Sequence, residues 1–206
     1  MRAYAIVVGG LLMCVLAGPL AAHFRLLSPA PWIQETDVFG DPQWSYPCGG
    51  TLTEPGIPTG AVTKFRGGDT VHLRIREMAF HPGFYRVALS VSSRRELPPD
   101  PEPISTTGPD GRQHSVAGTI RYPPVPPILA DGLFMHDSPL TADQEADIPL
   151  PNISCAKCTL QVIEFMAAHV RNPDGEYTYH HCADLQITAN PDKPIDTRFP
   201  SEGTRH

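Results

Sequence analysis

Prolines punctuate this chain of 206 residues almost throughout, 24 of them in all, and that spacing more than anything else limits what it can fold into. A proline removes a backbone donor, breaks a helix interior and is excluded from the middle of a sheet ladder, so regular structure must fit into the short stretches between. With 17 glycines as further punctuation, those stretches are brief, alternating and rich in Val, Ile, Leu and Tyr. That is the pattern of strands and turns. The clearest strand candidates are Val71 to Ile75, Tyr85 to Val91, Cys158 to Phe165 and His181 to Thr188, each offering alternate side chains to a core. No segment carries a long, capped helical stripe, although Ala142 to Ala146 is compatible with one helical turn after Pro139. No internal repeat is present. The expected architecture is all-β, an antiparallel sandwich with long loops.

Domain organisation follows from the same punctuation. Length fits one domain with a real core. Residues 4 to 17 form an uncharged apolar run behind Arg2, too short to span a bilayer and followed by Gly18, Pro19 and small residues. This reads as a secretory leader, residues 1–22, ending after Ala22. Met13 before Cys14 speaks against a lipoprotein. Residues 23–188 form the sandwich domain. Within it, residues 97–127 carry PPDPEP, GPDGRQ and YPPVPP and read as a surface excursion, while residues 189–206 read as a flexible tail. The expected location is secreted or periplasmic, with no membrane span, as a monomer. Formal charge is −6 with no basic run, so nucleic acid and anionic membranes are poor partners.

Once the leader and Cys14 are gone, Cys48, Cys155, Cys158 and Cys182 remain, an even set in an exported chain that suggests two disulfides. Four cysteines permit three pairings, and the sequence does not choose among them.

Cleavage after Ala22 would make His23 the first residue. Such a histidine offers both its α-amine and its ring to one metal ion; the amine, with a pKa near ~7.7–8.0, gives up its proton to a metal at neutral pH. One further imidazole completes a planar three-nitrogen arrangement that suits copper. His81 fits: it lies between two alternating strands in VHLRIREMAFHPGFYRVAL, where a loop-strand junction can present it rigidly.

An N-terminal His, a VHLRI-type strand followed by H-x-G-x-Y, and a late C-x-x-C-x-L-Q with Y-x-x-C-A-D-L together resemble the lytic polysaccharide monooxygenases, nearest to the bacterial chitin- and cellulose-active and animal types. The resemblance runs in order over most of residues 22 to 189, except the proline-rich insertion. It implies an immunoglobulin-like sandwich and a copper histidine brace of His23 and His81, with Tyr179 as the axial aromatic. It further implies oxidative cleavage of a polysaccharide, driven by an external electron donor or peroxide. The alternative is a non-catalytic exported copper carrier or sensor, some of which also begin with His.

This chain departs from the family at Y-H-H-C-A-D, where His180 and His181 follow Tyr179. Alternation puts His181 on the face of Tyr179 and His180 on the other, which favours His181 as an additional participant. Glu164 shares a face with Cys158, Leu160 and Val162, so it is either on an exposed face or retained for a purpose such as a proton relay. Asp184 reads as strand support and His72 as solvated, while His114, His136, His169 and His206 lie in apparent loop or tail sequence without ligand spacing.

Overall fold

A computed structural model describes residues 24–35, 43–172 and 175–199. The leader, His23 and residues 36–42, 173–174 and 200–206 lie outside the described residues. The protein is all-β. Three strands, β1 (Phe24–Ser28), β3 (Thr70–Glu77) and β8 (Gln144–Pro149), form one sheet in the order β1-β3-β8. Five others, β2 (Val62–Arg66), β4 (Gly83–Ser90), β7 (Ile128–His136), β9 (Cys155–Met166) and β10 (Thr178–Thr188), form the second in the order β2-β10-β9-β4-β7. All pairings are antiparallel except β2 with β10.

The reason these segments form two layers is visible residue by residue. In β3, Val71, Leu73 and Ile75 are buried while His72, Arg74 and Arg76 are exposed, the single-faced alternation of a strand with one side in water. Their partners across the core are Tyr85, Val87 and Leu89 of β4, Cys158, Leu160 and Val162 of β9, and Ala183, Leu185 and Ile187 of β10. Each fully buried Leu, Ile or Val contributes about 1.5–3 kcal/mol, so this cluster holds the two sheets together. Strands β4 and β9 are buried on both faces. Their outer side is covered by two smaller clusters, Cys48, Ala88, Leu97 and Cys182 with Trp32, and Phe84, Phe165 and Tyr177 with Ile120.

All four strand candidates from the sequence lie within observed strands or end one residue beyond them. The helical turn at Ala142 to Ala146 does not form; these residues lead into β8, where Ala146 pairs with Leu73. The proline-rich excursion stays outside the main sheets but folds into its own hairpin, β5 (Pro103–Thr107) and β6 (Gln113–Gly118). The cysteines pair as Cys48–Cys182 and Cys155–Cys158. Among the described residues, no helix is long and apolar enough to cross a membrane.

The expectation of a flexible tail needs correcting for residues 189–199. Phe199 joins the main core, and the buried Asn152 side chain donates to the carbonyls of Asn190, Lys193 and Pro194 while accepting from the Asn190 N–H at 2.7 Å. One buried amide thus replaces the ladder that the prolines forbid. Asn152→Ala should cost about 2–3 kcal/mol, because several buried carbonyls and an N–H lose their partner at once. Chemical denaturation checks this, and limited proteolysis should show cleavage near residue 193 gaining most. An unchanged midpoint would mean the segment is held by Phe199 alone.

Candidate metal centre

The register brings six strand ends to one end of the sandwich. Phe24, which opens β1, pairs with Glu77, which closes β3. Gly83, which opens β4, pairs with Met166 at the end of β9 and His136 at the end of β7, and Thr178 at the start of β10 faces Phe165. A side chain at position 83 would overlap the Phe165 carbonyl oxygen, which accounts for glycine in H-P-G. The β3–β4 connection that this glycine closes carries His81.

His81 and Tyr179 come together, with ring centroids 6.2 Å apart. A third ring, His169, stands edge-on to His81 at 4.6 Å and 6.2 Å from Tyr179. The sequence offered no reason to include His169, and its reading as a plain loop residue is corrected here. What holds it is the insertion hairpin. Ser115 of β6 donates from its backbone N–H to the His169 carbonyl at 3.0 Å and from its hydroxyl to the Met166 carbonyl at 2.6 Å, and its hydroxyl accepts from the His169 N–H at 3.2 Å. The loop that carries His169 therefore depends on a partner some fifty residues away in sequence, |i−j| = 54. Burial pushes the His169 ring down from the usual histidine range, which favours the neutral, metal-binding form.

Tyr179 is buried, and burial pushes its phenol up to about 12, with Trp44 and Asn172 close enough to offset part of the rise. A neutral phenol is a weak donor to a metal. Glu164 lies directly across from Tyr179 on β10 and from Tyr85 on β4, inside the core face and not on an exposed one. Burial first, and the nearby Glu77 carboxylate second, push its carboxyl well above the usual range.

His181 does share the face of Tyr179: its ring lies 5.7 Å from that of Phe24. Both its nitrogens are engaged, however, Nε2 with Glu35 Oε1 at 2.8 Å and Nδ1 accepting from the Cys182 N–H at 3.1 Å. This leaves it no lone pair for a metal, so its place beside the site is that of a positioning group. His180 faces the other way, bound to Asp100 at 2.8 Å and edge-on to Tyr46. Asp184 pairs with Arg94 at 3.0 Å, as strand support. His72 is exposed beside Asp147 and Glu145, and His114 pairs with Asp110. Trp32 belongs to the outer core, its indole N–H bound to the Cys48 carbonyl at 2.7 Å.

The donors present would fit a copper ion: the His81 imidazole, with the His169 ring held toward its neutral form by burial beside it, and the Tyr179 phenol, all at the end of the sandwich where β1 starts. No family model and no curated protein matches this chain.

Proposed function

We propose that this is an exported copper protein whose mature chain begins at His23, and that it oxidises a polysaccharide. The α-amine and ring of His23 and the ring of His81 would hold the metal, with Tyr179 beside it. The observation that carries the reading is the convergence of the start of β1, His81 and Tyr179 at one end of a rigid sandwich. Bound copper would supply one-electron chemistry, cycling between Cu(I) and Cu(II) with an external electron donor or peroxide. Around it, Tyr179 excludes water from one side and His169 packs against His81 and limits its ring rotation, while the buried Glu164 carboxyl lies across the strand pair from Tyr179.

The test is mass spectrometry of the exported protein's N-terminus with a copper titration followed by electron paramagnetic resonance, then incubation with chitin, cellulose and other glycans. One tight, nitrogen-coordinated Cu(II) and oxidised sugar products support the full reading. Tight copper without products on any glycan would favour a carrier or sensor, and a different N-terminus without stoichiometric copper would remove both. Tyr179→Phe should keep the metal while changing its resonance spectrum or its rate of reoxidation. Loss of copper from that variant would make the phenol a primary ligand.

A further inference from the structure

We propose that Glu77, His136 and Glu164 form a second metal site, for a divalent cation of the zinc type, distinct from the donor set of His23, His81 and Tyr179. The three come from strands in both sheets, Glu77 from the end of β3, His136 from the end of β7 and Glu164 from β9. One ligand atom of each lies within 4.8 Å of the others.

Three observations argue that a cation is missing from this cluster's charge balance. Glu164 is 0% exposed, and neither of its carboxylate oxygens has a hydrogen-bond partner among the described residues. The Tyr85 hydroxyl approaches it closely enough to offset part of its upward shift, yet among the same residues that hydroxyl also has no partner in hydrogen-bond geometry. Buried carboxylates normally accept several hydrogen bonds or coordinate metal.

The second observation is the orientation of His136. Its Nδ1 lies 2.8 Å from the Phe134 carbonyl oxygen, which only accepts, so Nδ1 carries the hydrogen. In the neutral ring Nε2 then has a lone pair, and it faces Glu77 Oε1 at 2.9 Å. Two lone pairs at that distance need a proton or a metal ion between them. An imidazole whose other nitrogen donates to a backbone carbonyl is the usual second layer of a metal site. Glu77 is fixed likewise, its Oε2 accepting from the Leu140 N–H at 2.8 Å.

The third is charge. Two carboxylates and a neutral imidazole balance one divalent ion, whereas without a metal the cluster reaches neutrality only by taking up two protons, one on the ring and one on Glu164. The side chains of His136 and Glu77 are 5% and 3% exposed, so water does little to offset a charge left there. One nitrogen and two oxygens are a donor set that zinc accepts. His136 also lines a cavity of about 550 Å³ with Pro82, Phe84, Met135 and Phe165.

The test uses the mature, exported protein, stripped with chelator, loaded with one equivalent of copper and dialysed against Zn2+, with both metals counted by mass spectrometry. One zinc per chain beyond the copper is expected. Glu164→Gln should keep its copper and weaken zinc by at least about 100-fold, the upper end of what losing even an outer neighbour of a metal costs. Glu77→Gln should behave the same way, which decides the matter if the first variant does not fold. The protein with one residue added before His23 should still take up zinc, so a failure of the copper reading is seen separately. A wild-type chain that takes up no zinc, or variants that bind it as well as wild type, would overturn the proposal and leave Glu164 a neutral carboxylic acid.

Discussion

Adding a single residue ahead of His23 should remove tight copper binding while leaving the fold intact. The addition changes no side chain. It turns the α-amine, which with a pKa near ~7.7–8.0 releases its proton to a metal at neutral pH, into an amide nitrogen that does not. The chelate formed by one residue is lost, and the ring of His23 is left as one independent donor. Affinity for Cu(II) should fall by at least about 100-fold. His23→Ala and His81→Ala, which each remove an imidazole, should do the same. The thermal midpoint of the metal-free extended chain should match wild type, because position 23 precedes the first strand, Phe24–Ser28. A competition titration against a chelator of known affinity measures the loss. Equal affinity in all three variants would sink the brace, and unchanged affinity in the extended chain beside a weakened His81→Ala would relocate the site to His81 and its ring neighbours.

Removing the Cys48–Cys182 disulfide should lower stability by about 5 kcal/mol, and removing Cys155–Cys158 by only about 2 kcal/mol. The difference follows from the loops they close. The first spans a sequence separation of 134 and the second a separation of 3, and a cross-link restricts the unfolded chain more as its loop grows. The long link also acts locally, because it ties the segment around Cys48 onto β10 one residue beyond His181. Urea unfolding of Cys48→Ser with Cys182→Ser, and separately of Cys155→Ser with Cys158→Ser, checks this. Equal losses would show that native packing, and not loop closure, sets both values. Copper affinity of the first double variant should fall too, since β10 carries Tyr179.

Strands β3, β4, β9 and β10 were legible because each alternates cleanly and is rich in branched or aromatic residues. Others were hidden by local chemistry that tertiary pairing overrides. In β7, Gly132 and the left-handed Phe134 interrupt the pattern. In β8, Gln144, Glu145 and Asp147 look like surface loop, and only pairing with β3 makes them a strand. The anchored segment 189–199 lacks any periodicity, since Phe199 and one distant amide hold it.

The site divides the same way. His81 was legible from H-P-G between two strands, whereas alternation put Glu164 on the face of Cys158, Leu160 and Val162 without deciding whether that face was exposed. His169 and His136 were not, because their neighbours come from register between strands distant in sequence: Ser115 holds the first, and Gly83 lies opposite the second. Glu77 was hidden as well, closing a strand whose preceding polar residues are all solvated.

Strand order also sets a timetable. In the five-stranded sheet, β10 lies between β2 and β9, yet it is the last strand to be synthesised. Until it emerges, β2 has no neighbour in its sheet and Cys48 has no partner. A chain built this way stays open through most of its synthesis and closes late, a course that would suit export if the proposed function holds. The end of the sandwich that gathers His81, His169 and Tyr179 is then completed in that last step.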